Sequence, residues 1–403
     1  MKVLVLTTSF PRWLGDEASL FLGRLIDSLS DLEVSGTIIV PYDKDEEPSD
    51  SRGSFSIARY RYGLLSRGAL AFGQGILPNL RKNPLLVLQV PLFLIQMFLF
   101  GIRHVSECQL IHGHWIVTAI PAYFIKLFSG KPYMLTVRGE DIKLLRGRLR
   151  FLFRPFVQRA TRITTVSNQF AAELKECLPL VADKISVITN GISRFQTSSE
   201  AQNSLRTRLH VEREQGQPGH KILCYVGRII ALKQPEFLMR CLSLLEYDSE
   251  VVLVLAGRVT EEYKTELMLL ASEFNIKDRV RIPGTLSPEE IGVLYSISTL
   301  YVSASSHEGR SNAVLEALAA GLPVCISDIP GHREVIGDSE IGLLFDLADP
   351  EEAAKKISVL LSDANRLKSL ADNATRAVSH LTWEESARQY REHFLQLLSE
   401  LPP

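Results

Sequence analysis

Residues 299–316 of this 403-residue chain read TLYVSASSHEGRSNAVLE. The apolar run at 299–302 predicts a buried strand, and the apolar periodicity that starts after Ser311 predicts a helix. Ser311 is a residue type that favours the position just before a helix, and Gly321 and Pro323 would end that helix. A strand, a loop and a helix in this order are the repeating unit of an α/β domain with a parallel sheet.

The loop between this strand and this helix places charge next to a predicted anion site. Backbone N–H groups at a helix N-terminus bind anions, and here they belong to Ser311, Asn312 and Ala313. Glu308 lies in the loop, and Glu316 lies one turn inside the helix. Two carboxylates beside an anion site are unfavourable unless they accept hydrogen bonds from hydroxyl groups, which a nucleotide-sugar offers on both of its sugars. The alternative is a pair of exposed surface glutamates.

A second cluster of interest is GRIIALK at 227–233, which follows a predicted strand at 221–226. Ligands of doubly wound sheets bind at the carboxyl ends of the strands, so Arg228 and Lys233 can point to one place there. As a glycosyl–phosphate bond breaks, negative charge develops on the diphosphate leaving group. Arg228 and Lys233 together can stabilise that charge without a metal ion. The alternative is two solvated cations near a turn.

Short apolar runs alternate with helical periodicity along the rest of the chain, which predicts two successive α/β series. The first series has predicted strands at 3–8, 36–40, 110–113, 133–137, 162–166 and 185–188. The second has predicted strands at 221–226, 251–256, 279–282, 299–302 and 323–326. The stretch 194–220 between them is polar and rich in Gln and Ser, so it predicts the domain boundary.

The composition is that of a folded protein of roughly two domains, with 46% hydrophobic residues, 23% charged residues and a net charge of −1. Residues 1–190 contain 23 Lys and Arg against 16 Asp and Glu, whereas residues 191–403 contain 22 against 30. The five cysteines lack metal-site spacing and are predicted to be buried thiols in a reducing compartment. A nucleic-acid partner is not expected, and the apolar run at 3–6 predicts a first strand rather than a secretion signal.

Residues 84–101, PLLVLQVPLFLIQMFLFG, form an apolar stretch of nearly membrane-spanning length. Gln89, Pro91 and Gln96 interrupt it, which argues against a span. The surrounding region 54–162 contains 16 Lys and Arg against 3 Asp and Glu, so a helix lying on an anionic membrane surface is one interpretation. A core helix beside a solvated basic face is the other.

These clusters and several further motifs make the chain resemble the retaining glycosyltransferases of family 4. Glu308 and Glu316 match the E-x7-E motif of that family, and Arg228 with Lys233 match its G-R-x4-K element. Further matching motifs are TTSFP at 7–11, HGHW at 112–115, TVRGED at 136–141, VS at 166–167, NGI at 190–192, GLPV at 321–324 and WE at 383–384.

The resemblance implies the GT-B fold, in which two Rossmann-like α/β domains have parallel sheets that face each other across a cleft. The implied domains are an acceptor-binding domain at 1–193, a nucleotide-sugar-binding domain at 194–381, and a C-terminal helix at 382–403 that crosses back to the first domain.

The resemblance also implies a role for each motif residue. Arg228 and Lys233 would bind the donor diphosphate, Glu316 would accept from the ribose hydroxyls, and Glu308 would contact the donor sugar. His114 would hydrogen-bond the donor sugar from the first domain, the alternative being a structural imidazole. The other implied donor contacts are Gly227, Ile282, Gly309, Arg310, Ser311, Asn312 and Ala313.

Two positions depart from the common pattern of the family. Arg138 stands where many members have His, so Arg138 and Asp141 are candidates for acceptor recognition or for supporting the site. The first loop has only Gly15 where a Gly-Gly pair is frequent, so Gly15 is a candidate whose phosphate contact is in doubt.

The implied reaction is the metal-independent transfer of a hexosyl unit, with retention of configuration, from a UDP- or GDP-sugar to a glycan or lipid-linked acceptor in cell-surface polysaccharide or glycolipid synthesis. No cofactor is expected, and a UDP-sugar is favoured as the donor substrate. The expected location is the cytoplasm, with peripheral contact on the inner face of the cytoplasmic membrane. Alternatives are a sugar-nucleotide epimerase, a phosphorylase or synthase of the same superfamily, and a non-catalytic sugar-nucleotide or membrane-binding protein on the same fold.

Overall fold

The computed structural model describes residues 1–12, 19–42, 50–63, 70–71, 75–212, 220–245, 250–337 and 340–400. The chain divides into two compact units. Unit 1 comprises Met1–Gly191 and Leu381–Pro403, and unit 2 comprises Ile192–His380. The expected boundaries, after residue 193 and after residue 381, lie within two residues of these divisions.

The strands in the described residues are β1 Lys2–Leu6, β2 Ser35–Pro41, β3 Ser51–Arg52, β4 Phe55–Tyr60, β5 Leu110–His114, β6 Tyr133–Val137, β7 Arg162–Thr165, β8 Ile185–Val187, β9 Lys221–Val226, β10 Val251–Ala256, β11 Val280–Gly284, β12 Leu300–Ser303, β13 Val324–Ser327 and β14 Gly342–Phe345. The α-helices there are α1 Leu20–Asp31, α2 Ile76–Lys82, α3 Val90–His104, α4 Ala119–Ser129, α5 Lys143–Arg146, α6 Arg150–Gln158, α7 Asn168–Cys177, α8 Ser199–Leu209, α9 Pro235–Ser243, α10 Glu261–Glu273, α11 Pro288–Ile297, α12 Asn312–Ala319, α13 Pro330–Ile336, α14 Pro350–Ser362, α15 Ala364–Ala377 and α16 Trp383–Ser399.

Unit 1 is built on a sheet with the strand order β3-β4-β2-β1-β5-β6-β7-β8. Its pairs are parallel apart from β3 with β4. The central strands are buried on both faces, and for that reason β1 and β6 are almost continuous apolar runs. Helix α16 returns to this unit and packs against α1, burying Tyr390 and Phe394 in the core that also contains Val3 and Val5.

Unit 2 has a parallel sheet with the order β11-β10-β9-β12-β13-β14. Along the chain, β9, β10 and β11 extend the sheet to one edge, and β12, β13 and β14 then extend it to the other edge. The switch point of this doubly wound sheet therefore lies between β9 and β12, where ligands of such folds bind at the carboxyl ends of the strands. The loops 227–233 and 304–311 begin at those two ends, as predicted.

All eleven predicted strands are present, with ends that differ by no more than two residues. Three strands were not predicted: β3, β4 and β14. The stretch 194–220, predicted to mark the domain boundary, starts two residues after Ile192, where unit 2 begins, and contains α8, whose Leu205 and Leu209 are buried. Its polar composition reflects the exposed face of a helix that packs against α11. The five cysteines are buried and unpaired, as predicted.

Candidate active site

The turn after β9 places the first pair of predicted residues. Gly227 has φ 150°, and a Cβ atom there would lie 2.7 Å from the hydroxyl of Tyr225, so the turn requires glycine. That hydroxyl donates to the carbonyl of Arg228 at 3.1 Å and closes the turn. The Arg228 side chain is exposed, and Lys233 ends the short 3₁₀ turn Ala231–Lys233.

Lys233 and Glu308 form an ion pair across the two loops. The ammonium of Lys233 donates to Oε1 of Glu308, and the Ser305 hydroxyl donates to the same oxygen at 3.1 Å. The side chains of Lys233 and Glu308 are only 13% and 19% exposed. Glu308 is therefore a partly buried, paired carboxylate, and the alternative of an exposed surface glutamate does not describe it.

The two loops are fixed to each other by backbone contacts. The amide and the hydroxyl of Ser306 both donate to the carbonyl of Leu232, at 3.1 Å and 3.0 Å. Gly331, at the start of α13, lies so close that a Cβ atom would overlap the carbonyl oxygens of Glu308 and Gly309. The sequence analysis missed Gly331, although a Pro-Gly pair after a predicted strand was a visible signal.

His332 is a second residue that the sequence analysis missed. Its Nδ1 lies 2.8 Å from the carbonyl of Ser327, and because a carbonyl only accepts, Nδ1 carries the proton. Ser327 in turn donates its hydroxyl to the carbonyl of Ser305 at 2.6 Å. Burial lowers the pKa of His332, so the imidazole is neutral, and its Nε2 is a buried acceptor with no hydrogen-bond partner among the described residues.

Helix α12 supplies the second predicted carboxylate. Ser311 occupies the N-cap position, as predicted, and is 8% exposed, while Asn312 and Ala313 begin the helix. Glu316 is partly buried one turn into the helix. Burial lowers the pKa of the Arg310 guanidinium, whose Nε has no hydrogen-bond partner in the described part of the chain.

Ile282 lies at β11, two strands from β9, and is 9% exposed in the core of unit 2. Its side chain therefore packs in the core, and only its backbone is left for the expected nucleobase contact.

In unit 1, His114 ends β5 and Arg138 follows β6. One guanidinium nitrogen of Arg138 donates to Oδ1 of Asn190 at 2.8 Å, and another lies 3.2 Å from Nδ1 of His114. Arginine has no acceptor, so it donates to Nδ1, and the proton of the neutral imidazole is on Nε2. The guanidinium also lies 4.3 Å from the ring centre of Phe21.

The imidazole of His114 is held neutral. Burial is the main reason that the pKa of His114 lies well below its usual value, and the neighbouring His112 and Arg138 lower it further. Its Nε2–H is buried and has no hydrogen-bond partner among the residues that the structure describes. His114 therefore presents a fixed, uncharged N–H donor, which is a suitable partner for a sugar hydroxyl.

Asp141 supports the loop after β6. Its Oδ1 accepts from the backbone amides of Arg138 at 3.2 Å and Gly139 at 2.9 Å, and its Oδ2 accepts from the amide of Ile116 at 2.9 Å. Both oxygens are used inside unit 1 and the residue is 6% exposed, so Asp141 positions Arg138 rather than binding an acceptor directly. Gly15 lies outside the described residues.

Family models match both units. A model of glycosyltransferase family 4 matches residues 26–194, and a model of the glycosyl transferases group 1 matches residues 209–377. The chain is 26% identical over 325 residues to a D-inositol 3-phosphate glycosyltransferase of Salinispora tropica, a match that covers 74% of this chain and 66%, just under two thirds, of that protein.

Solved structures show the same fold over the whole chain. Sucrose-phosphate synthase from Thermosynechococcus elongatus superposes with a TM-score of 0.79 at 19% identity and 100% coverage of both chains. HepE from Anabaena, solved in complex with UDP-glucose, has a TM-score of 0.76 at 16% identity, with 98% of this chain and 100% of that chain covered. Two parallel-sheet units of this kind define the GT-B glycosyltransferases, a class of transferases. The chain belongs to family 4 of that class.

Proposed function

We propose that this glycosyltransferase moves a hexosyl unit from a nucleoside diphosphate sugar, a UDP-sugar in preference to a GDP-sugar, to a glycan or lipid-linked acceptor, with retention of configuration and without a metal ion. The observation that carries the proposal is the pairing of Lys233 with Glu308 across the loops that follow β9 and β12, the first of which also carries Arg228. The complex of the Anabaena relative with UDP-glucose supports the choice of nucleotide.

Charge stabilisation is the main chemical task in this proposal. As the bond from the sugar C1 to the β-phosphate oxygen breaks, Arg228 and Lys233 neutralise the diphosphate. A new bond forms between C1 and the acceptor oxygen, and the acceptor proton passes to the leaving phosphate. Glu308 accepts from a donor-sugar hydroxyl, Glu316 accepts from the ribose, and the Nε2–H of His114 donates to a sugar hydroxyl.

For a transfer with retention, the state of Glu308 favours the route on one face of the sugar over a covalent intermediate. A carboxylate oxygen that accepts from an ammonium and a hydroxyl is stabilised as an anion, which makes it a weak nucleophile. We therefore assign Glu308 to binding and orientation rather than to a covalent intermediate.

The test is donor binding followed by product analysis. We expect a UDP-sugar, with a chelator present, to raise the Tm of the purified chain, and Glu316→Ala to abolish that rise while Glu273→Ala, at an exposed position on α10, keeps it. The anomeric coupling constant of the product, measured by NMR, should match that of the donor. A metal requirement, an inverted product or the absence of any nucleotide-sugar response would overturn the corresponding part of the proposal.

A further inference from the structure

Exposed apolar side chains are concentrated in one part of unit 1. Of the sixteen large hydrophobic side chains that are exposed in the described residues, eleven lie between residues 85 and 152. We call them the apolar face: Leu85, Val87, Leu88, Ile95, Leu99, Phe124, Leu127, Phe128, Leu149, Phe151 and Leu152. Single exposed apolar residues are ordinary on protein surfaces, but a concentration of this size marks an interaction surface.

Packing between helices makes the apolar face continuous. Helix α3 packs against α4, and α4 packs against α6. Phe98 of α3 lies 5.7 Å from Phe128 and 6.4 Å from Phe124, measured between ring centres. Phe124 lies 5.9 Å from Phe156 on α6, the helix that begins next to Leu149 and contains Phe151. The exposed residues of the three helices therefore belong to one surface.

Helix α3 is apolar on both of its sides. One side, with Phe93 and Met97, is completely buried in the core of unit 1, while Ile95 and Leu99 on the other side are 52% and 42% exposed. The helical segment Pro84–Glu107 is long and apolar enough to cross a membrane, and its most apolar 18-residue window has a mean hydropathy of 2.3, with 17% of that window buried. A crossing would remove Phe93 and Met97 from the core, so an orientation parallel to a surface fits the packing better.

The charge beside the apolar face is mostly positive. Region 54–162 contains 16 Lys and Arg against 3 Asp and Glu. Of those acids, Asp141 is buried and Glu107 is paired with Lys2. The exposed Arg81 and Lys82 directly precede the apolar segment, and the exposed Arg148 and Arg150 alternate with Leu149 and Phe151. Cations next to exposed apolar side chains complement a surface with an apolar interior and an anionic boundary.

We propose that unit 1 docks on an anionic lipid bilayer through the apolar face. The apolar side chains enter the boundary between headgroups and acyl chains, and the flanking cations contact lipid phosphates. The docking holds the protein as a peripheral membrane protein and goes beyond the proposed transfer reaction, since it needs neither donor nor acceptor.

The test uses the whole chain and vesicles of two compositions, phosphatidylcholine alone and phosphatidylcholine mixed with phosphatidylglycerol. We expect sedimentation with the anionic vesicles, weakened by salt. The double variant Arg148→Glu and Arg150→Glu should bind them about 30-fold or more weakly, because each lost cation costs about fivefold. Leu127→Ser with Phe128→Ser should also lose at least about tenfold.

Matched controls come from unit 2. Leu269→Ser replaces an apolar side chain that is 61% exposed, and Lys355→Glu with Lys368→Glu reverses two exposed cations, so both variants should bind vesicles as the parent does. An environment-sensitive dye on Phe128→Cys should shift to the blue on binding, whereas the same dye on Leu269→Cys should not. All of these substitutions are at exposed positions, and unchanged thermal melts will establish that they fold.

Three results would overturn the proposal. The first is an absence of sedimentation with the anionic vesicles. The second is equal binding to both vesicle types without salt dependence, which would leave the cations without a role. The third is a dimer in light scattering that dissociates in the Leu127→Ser and Phe128→Ser variant and does not bind vesicles, since a second copy of the chain would then cover the apolar face.

Discussion

Removing Lys233 should separate the catalytic from the structural role of its ion pair. In Lys233→Ala, Glu308 keeps one neutral donor, the Ser305 hydroxyl, and its side chain is only 19% exposed in the parent protein. An under-satisfied carboxylate of this kind should lower the free energy of unfolding by about 1–3 kcal/mol. In the proposed reaction, the same variant loses one of the two cations that stabilise the leaving diphosphate, so turnover should fall by about 10²–10³.

Adding Glu308→Gln to Lys233→Ala distinguishes the two effects. The double variant has no unpaired charge, so it should recover most of the stability in urea unfolding, but it still lacks the cation and should recover none of the turnover. Lys277→Ala, at an exposed position in unit 2, should change neither quantity. The reasoning would be refuted if Lys233→Ala folded and turned over normally, or if the double variant regained activity together with stability.

Three further predictions concern positions that are buried or closely packed. Arg138→Met removes the donor to Nδ1 of His114, so ¹⁵N NMR should show a changed tautomer mixture and turnover should fall at least about tenfold. Burial and, to a lesser degree, Arg138 lower the pKa of His112 to about 3 in the folded chain. As the pH falls, the unfolded chain therefore takes up this proton before the folded chain does. The free energy of unfolding should therefore decrease by about 1.6 kcal/mol for this group between pH 6.5 and 5, and pH-dependent urea melts of His112→Gln should show a shallower slope. Gly331→Ala should push the loop at Glu308 outward and raise the KM for the donor, and an unchanged KM would contradict the tight packing seen there.

The sequence predicted the strands best where they are buried on both sides. β10 is six consecutive buried apolar residues, so its position needed no information from the rest of the chain. β4 was missed because its sequence, FSIARY, mixes exposed, charged and apolar residues, as suits a strand near the sheet edge. β14 has only four residues and lies at an edge of the unit 2 sheet. Its pairing with β13 is a long-range contact that no local pattern shows.

The candidate site was predictable where a motif carries it and not where tertiary contacts do. Arg228, Lys233, Glu308 and Glu316 were predicted from their motifs, and the structure pairs Lys233 with Glu308. The tautomer of His332 depends on the carbonyl of Ser327, and the tautomer of His114 depends on Arg138, 24 residues away in the chain. These roles depend on which residues the sheet brings together. The distances between those residues cannot be read from the sequence alone.

The return of α16 to unit 1 has a consequence for how the protein is made. The strand β5, which carries His112 and His114, is synthesised early, but the rings of Tyr390 and Phe394 that pack 5.3 Å from the ring of His112 belong to α16. The ribosome must therefore translate all of unit 2 before this face of unit 1 can be covered. A chain truncated before Trp383 would expose an apolar surface over its own histidine pair. Chaperones and proteases recognise surfaces of this kind, so incomplete copies would be marked for removal.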